Sequence, residues 1–369
     1  MGPLCSTIMT KKLLVSILLC LASQSLLLAE AIDRDTILEK LLSEDAKIRQ
    51  EGKTALLSIA QKDLPGLEKY LNYKGSWAVR HDAVLALTTI PGTESSKLLL
   101  KTIFQDTDPT VVSIASHGLK GREKDVTLDE LRKLLEMDNQ SAIRAALRIV
   151  EKIPVDESIL APLAKALENK RWGIGVRADA ALALSKAEGI ETDIKIEIIL
   201  NAMKKECENP TPEPNTPNKG RCTSLTDQVR AIYRAVILRM GRPTVPYLNE
   251  RIKKEEGEFR KNLIITLGYL GDPNVYAEIL KIATTDKNAW SRAWAIETLG
   301  EIGNKDAIPL LKEALKDSFS LECGDVKAPP GYEEWNIRYP IRGAAFSSLV
   351  KLGVKVESKR PPGTYKVIE

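Results

Sequence analysis

Few residues of this chain carry side chains suited to acid–base or metal chemistry. Its two histidines, His81 and His117, lie 36 residues apart and are followed by Asp82 and Gly118. Two histidines bind a metal only with further carboxylate ligands, and a serine hydrolase of the common type needs a G-x-S-x-G turn that the sequence lacks. We therefore predict no catalytic residue and no metal site, and interpret each histidine as a partly buried or solvated side chain.

A second candidate for chemistry is Gly52-Lys53-Thr54, which imitates the end of a phosphate-binding loop. That loop needs its first glycine six positions before the lysine and a strand ahead of it, whereas Lys47 stands where that glycine must be and no strand is predicted. The sequence therefore predicts no cofactor.

The first thirty-one residues have the features of a signal peptide. Lysines at 11 and 12 precede an apolar run over 13–28, and Ala29 and Ala31 are small residues at the positions that a signal peptidase reads. We predict cleavage after Ala31 and export to the periplasm or the medium, with no membrane span afterwards. Two alternatives stay open, an uncleaved membrane anchor and lipid anchoring through Cys20.

The charge of the remaining chain is nearly balanced. Cleavage would remove Lys11, Lys12 and Glu30 from totals of 54 basic and 50 acidic residues, which leaves 52 and 49 spread along the chain. Nucleic-acid binding needs a concentrated basic face, so we predict no nucleic-acid partner.

Three cysteines follow the predicted signal peptide. Cys207 and Cys222 flank the proline-rich segment CENPTPEPNTPNKGRC, and Cys323 lies far downstream. Export to an oxidising compartment favours a bridge between Cys207 and Cys222. A bridge to Cys323, or none, is the alternative.

The chain repeats a helical pattern from end to end. An apolar residue comes directly before a recurring position, called the slot here, and further apolar residues follow three and seven positions later. Most steps between slots are 30 to 33 residues, and two are 53 and 50. The slots are Arg49, Arg80, Val112, Arg144, Arg177, Arg230, Arg260, Arg292 and Arg342.

This spacing forms one stripe of an α-helix, and a proline often opens a second helix in each unit. Such helix pairs cannot bury their apolar faces alone, so they stack. We predict an all-α fold, an α-α superhelix or solenoid of about nine helix pairs. It spans 32–355 with insertions at 205–224 and 318–340, and 356–369 form a tail.

The repeat resembles a known family. The segments VRHDAVLAL (79–87), VRADAALAL (176–184) and SRAWAIETLGEIGNKDAIPLLKEALKD (291–317) are similar to HEAT repeats of the short, phycobilisome-lyase-like kind. The resemblance implies a curved superhelix whose concave face binds a partner. It also leaves open a lyase-like or other ligand-handling enzyme, whereas the iron-dependent hydroxylases of this family need several His-Glu pairs that this chain lacks.

The tryptophans suggest where a partner would bind. Trp77, Trp172 and Trp290 lie two to five residues before a slot, and the second insertion adds aromatic residues. The candidate contact residues are Trp77, Trp172, Trp290, Tyr332, Trp335 and Arg338. Alternatively, the tryptophans fill gaps between repeats and the insertions are tolerated surface loops.

The slot arginines also allow two interpretations. They would either contact an acidic partner or form a structural ladder with acidic residues that also cap helices. These acidic residues lie three to six positions before five of the slots: Asp45, Asp108, Asp138, Asp227 and Asp286. From these observations we expect an exported, non-enzymatic scaffold that binds a protein or peptide. The sequence leaves the oligomeric state open, and a purely structural envelope component is a third possibility.

Overall fold

The computed structural model describes residues 34–212, 224–322, 337–359 and 363–368. The described residues up to Thr127 form one compact unit, and those from Leu128 onward form a second. The first unit contains α1 (Arg34–Leu42), α2 (Ala46–Lys62), α3 (Glu68–Leu71), α4 (Trp77–Thr88), α5 (Thr93–Gln105) and α6 (Pro109–Gly118).

The second unit continues the same alternation of helices. It contains α7 (Leu128–Glu136), α8 (Gln140–Val150), α9 (Leu160–Glu168), α10 (Ile174–Lys186), α11 (Thr192–Glu208), α12 (Leu225–Met240), α13 (Val245–Ile252), α14 (Gly257–Tyr269), α15 (Tyr276–Thr285), α16 (Ala289–Ile302), α17 (Ile308–Ala314) and α18 (Pro340–Lys351). Every slot falls on an even-numbered helix, so the described residues confirm the predicted register and its nine helix pairs.

Short polar residues fix where most of the slot helices begin. The side chain before the helix accepts hydrogen bonds from the first free backbone N–H groups, which have no partner inside the helix. The residues in this role are Asp45, Ser76, Asp108, Asn139, Ser224 and Asn288.

The predicted apolar stripe forms the core. Leu56, Leu87, Leu184 and Leu299, each seven residues after a slot, have no exposed surface. The position before the slot is also buried in most units, although Ile48 is 40% exposed. Burial of these side chains from neighbouring pairs into one core is what holds each unit together.

The slot helices of the second unit pack against one another in order. Helices α8, α10, α12, α14, α16 and α18 each contact the next, and each also contacts an odd-numbered neighbour. Small residues allow the close approach: a Cβ atom added to Gly300 of α16 would lie 2.7 Å from the Cα atom of Ser348 in α18.

Two short hairpins depart from the all-helical pattern. Strands β1 (Leu321–Glu322) and β2 (Ile337–Arg338) pair in antiparallel fashion and close the base of the second insertion. Strands β3 (Val356–Lys359) and β4 (Thr364–Val367) pair likewise within the segment expected to be a tail. Tyr365 stacks on Phe346 of α18, with ring centroids 4.8 Å apart. The hairpin therefore packs where a further helix would otherwise follow α18.

The first insertion is shorter than expected, because α11 continues to Glu208. Among the residues that the structure describes, no helix is long and apolar enough to cross a membrane.

Candidate partner-binding surface

The slot arginines mainly hold consecutive helices together. Six of them donate hydrogen bonds to backbone carbonyls at or just beyond the end of the preceding odd-numbered helix, where carbonyl groups have no helical partner. The pairs are Arg49 with Ser43 and Glu44, Arg80 with Tyr73, Arg177 with Leu167, Arg260 with Ile252, Arg292 with Asp286, and Arg342 with Asp317. Most of the slot arginines therefore have a structural role.

The acidic partners of these arginines differ from those predicted. Of the five aspartates before the slots, only Asp227 brings its carboxylate to its own slot arginine, 3.4 Å from Arg230. Other slot arginines bind carboxylates that follow them in the chain, as Arg80 does with Asp106 at 2.6 Å. The predicted pairing is therefore wrong for most of these aspartates. The predicted capping role is confirmed for Asp45 and Asp108, which accept hydrogen bonds from backbone N–H groups at the start of a helix.

A buried network anchors the start of the first insertion. The Arg177 guanidinium donates to Glu206, to the hydroxyl of Tyr233 and to the hydroxyl of Thr211, at 2.8, 3.1 and 2.8 Å. Glu206 accepts a second bond, from the backbone N–H of Thr211, at 2.7 Å. The side chains of Arg177 and Glu206 are 2% and 0% exposed. Every polar end of this ion pair is therefore satisfied, as burial of charge requires.

The pKa values in this network follow from burial and pairing. Burial works against the charge of Glu206, but the hydrogen bonds from Arg177 and Thr211 outweigh it and lower the pKa of this carboxyl. Burial raises the pKa of Tyr233 to about 12. Both groups therefore keep one protonation state near neutral pH, glutamate charged and tyrosine neutral.

Cys207 lies near Arg230, a buried arginine of α12. Burial raises the pKa of its thiol to about 11, and the nearby Arg230 lowers it only in part. A thiol of this kind is a poor nucleophile. Its predicted bridge partner, Cys222, lies outside the described residues, so the bridge stays a prediction.

The surface of greatest interest is formed by Arg234, Tyr269, Trp290, Trp294 and Glu297, called the aromatic–arginine cluster below. Helices α12, α14 and α16 supply these residues. The Arg234 guanidinium carbon lies 4.3 Å from the ring centroid of Trp294 and 5.5 Å from that of Tyr269. Trp290 lies one turn before Trp294, and their ring centroids are 6.2 Å apart. Both tryptophans are partly exposed.

Arg234 is the least satisfied charge in this cluster. It is 3% exposed, and its Nη1 atom has no hydrogen-bond partner within the described residues. Burial lowers the pKa of Arg234, an effect that Tyr269, Glu297 and Asp227 only partly offset. A cation held between aromatic faces recovers part of its lost hydration through cation–π attraction. The N–H groups at Nη1 still lack a hydrogen-bond acceptor, because an aromatic face does not replace one.

The other predicted contact residues fall in different environments. Trp77 is 50% exposed at the start of α4, with its ring centroid 6.0 Å from that of His81. Trp172 is 8% exposed in the connection between α9 and α10, so it is a core residue and the gap-filling alternative applies to it. Arg338 is exposed in β2, whereas Tyr332 and Trp335 lie outside the described residues.

The candidates for catalysis take ordinary structural positions. His81 lies 3.3 Å from Asp82, and the exposed His117 contacts the backbone oxygen of Ser113 at 2.8 Å. Gly52-Lys53-Thr54 lies within α2. The described part of the chain contains no group of three or more potential metal ligands. That the chain is not an enzyme stays a prediction.

Helix pairs that recur along the chain and stack on their neighbours, as they do within each unit, define an α-α solenoid. The model of the HEAT-repeat family matches residues 64–151 and 245–322, so the chain contains HEAT repeats in both segments. The phycobilisome-lyase-like subtype stays a prediction.

Solved structures with a similar arrangement include the karyopherin Kap121p bound to the extreme C-terminus of the protein phosphatase Cdc14p. It is 14% identical with a TM-score of 0.45, and the similarity covers 88% of this chain and 37% of that one. Kap121p bound to Pho4p is 13% identical with a TM-score of 0.42, covering 86% and 36%. The chain thus spans little more than a third of Kap121p.

Human deoxyhypusine hydroxylase in complex with glycerol is 14% identical with a TM-score of 0.27, covering 86% of this chain and 95% of that one. A search of curated proteins gave no matching sequence.

Proposed function

We propose that this protein is an exported HEAT-repeat scaffold that binds a protein or peptide partner. The proposed contact is the surface of the slot helices around the aromatic–arginine cluster. One observation carries the proposal: Trp290 and Trp294 lie partly exposed on successive turns of α16, and the Trp294 ring lies beside the buried charge of Arg234. Tryptophan and arginine are the residues that most often dominate binding energy at protein interfaces.

The test is capture followed by measurement with purified components. The chain beginning at Ile32 is used to capture partners, each captured protein is purified, and its affinity is measured for variants. We expect Trp290→Ala to weaken binding by about 2 kcal/mol, roughly 30-fold, because an aromatic anchor would be lost.

The matched control is Tyr247→Ala, which removes a 41% exposed aromatic side chain from the odd-numbered helix α13. Affinity should be unchanged in this variant. Binding that depends on Tyr247 and not on Trp290 would place the contact on the other row of helices. A third variant lacking 318–340 tests whether the second insertion takes part, as its aromatic composition suggests.

Export is proposed from the N-terminal sequence alone. Expression in a secreting host should yield a protein in the periplasm or medium whose first residue is Ile32. A retained N-terminus with the protein in the membrane fraction would support the anchor alternative instead.

A further inference from the structure

Two arginines of the second unit are equally buried but differently satisfied. Arg177 is 2% exposed and uses Nε, Nη1 and Nη2 in hydrogen bonds, one of them to the carboxylate of Glu206. Arg234 is 3% exposed, forms no ion pair within the described residues and leaves Nη1 without a partner there. Leaving a buried charge without a counter-ion is costly, so a purely structural arginine should resemble Arg177.

The carboxylates nearest to Arg234 are already engaged. Glu297 accepts a hydrogen bond from the Tyr269 hydroxyl at 2.6 Å. Asp227 accepts from the Ser224 hydroxyl at 2.9 Å and faces Arg230 at 3.4 Å. The counter-ion that would complete the environment of Arg234 is therefore not supplied by these neighbours.

The geometry around Arg234 suits an added carboxylate. The Arg234 guanidinium carbon lies over the rings of Trp294 and Tyr269, which offer it only cation–π attraction. A carboxylate binds arginine in the plane of the guanidinium, through its N–H groups, and does not compete with rings on the faces. The N–H edge without an acceptor is at Nη1, which is itself buried, so an anionic group can reach it only if a neighbouring side chain moves.

Resting on the proposed partner binding, we propose that Arg234 is the binding site for one carboxylate of the partner, the side chain of a glutamate or aspartate in a bound peptide segment. Trp294 and Trp290 hold the peptide beside it. With only 3% of Arg234 exposed, the entering group must end a narrow, flexible stem. An acidic side chain meets that condition, whereas a C-terminal carboxylate carries its own side chain on the adjoining carbon.

The experiment uses the chain from Ile32 to Glu369 and an immobilised array of random dodecapeptides. Every peptide that binds is resynthesised in three forms: unchanged, with each acidic residue replaced by its amide, and with the C-terminus amidated. We expect the amide replacement to weaken binding at least tenfold and C-terminal amidation to change it less than twofold.

Two variants connect this selectivity to Arg234. Arg234→Met removes the charge but keeps an unbranched side chain of similar length, and buried charges replaced in this way usually preserve the fold. Arg239→Met removes the same charge from an exposed position of the same helix. The preference for the acidic peptide should disappear in Arg234→Met and persist in Arg239→Met.

The outcomes separate this inference from the proposed function. If the unmodified chain binds no peptide, peptide binding itself is refuted. If it binds peptides but acidic and amide forms bind equally, or if Arg234→Met keeps the preference, the carboxylate site is refuted while peptide binding stands. If C-terminal amidation alone abolishes the binding of a peptide, the assignment of the site to an acidic side chain is overturned. The ratio of the unsubstituted chain's affinities for the acidic and amide forms of a peptide tests the site even if a variant fails to fold.

Discussion

The buried pair of Arg177 and Glu206 allows a stability prediction with a matched control. Replacing Glu206 by Gln keeps the volume but removes the negative charge. The two oxygens of Glu206 now accept from Arg177 at 2.8 Å and from the Thr211 backbone at 2.7 Å. Glutamine has one amide nitrogen, which must then face one of these donors. The guanidinium, 2% exposed, would also keep its charge without a counter-ion.

Breaking a buried ion pair at one end costs about 3–5 kcal/mol, so we expect Glu206→Gln to lower the free energy of unfolding by that amount. The control is Glu168→Gln, because Glu168 pairs with the neighbouring Lys205 at 2.7 Å but the lysine side chain is 60% exposed. Exposed pairs contribute about 0–1 kcal/mol.

The assay is urea unfolding followed by circular dichroism, with hydrogen exchange to locate the loss, since stacked repeats unfold in parts. Faster exchange should centre on α10, α11 and the start of α12. The reasoning would be refuted if Glu206→Gln lowered the free energy of unfolding by less than 1 kcal/mol, or if both variants lowered it equally. The Arg177–Glu206 pair would then not stabilise the start of the first insertion.

Three further outcomes follow from the described contacts. Because the folded pKa of Glu206 lies below its ordinary value of 4.5, the stability that this carboxylate supplies is complete above pH 4.5 and falls as the pH drops further. Titration of unfolding should show this acid loss in the natural chain and not in Glu206→Gln. Gly300→Ala should destabilise the fold by about 1–3 kcal/mol, since the new Cβ would lie 2.7 Å from the Cα of Ser348. A new Cβ at position 343 would have no neighbour closer than 4.0 Å, so Gly343→Ala should instead stabilise the fold by about 0.5–1 kcal/mol. Thermal melting curves of the two variants test both expectations. In reduced protein at pH 8, Cys207 should be alkylated about 100-fold more slowly than after unfolding, because its pKa rises from 9.0 to about 11. Equal rates in mass spectrometry would refute its burial.

The repeat could be predicted because its signal is local. Each slot helix carries apolar residues one before and seven after the slot, and these positions are buried in most units. The register of the repeat also holds in the unit where the slot residue is Val112 and not arginine. In the unit of Arg144 the position seven residues after the slot is the charged Glu151, and the fully buried Val150 beside it lies in the core.

The aromatic–arginine cluster was missed because its members are distant in sequence. Arg234, Tyr269 and Trp294 meet only when α12, α14 and α16 pack side by side. One signal was present: Arg234 stands four residues after its slot, a position where Val84 and Ile264 are buried. The signal is not specific, because the same position holds the charged residues Lys53 and Arg148 in two other units, and neither of them is buried. The two hairpins gave no comparable signal, because two to four paired residues carry little pattern.

The most direct measurement of the central proposal is site-specific photo-crosslinking in cells that make the protein. A photoreactive phenylalanine analogue replaces Trp290 on α16 in one variant and the exposed Lys281 on α15 in another. The proposed partner binding through the slot helices predicts a discrete crosslinked complex from position 290 and none from position 281. A complex from position 281 alone, or equal complexes from both positions, would contradict it.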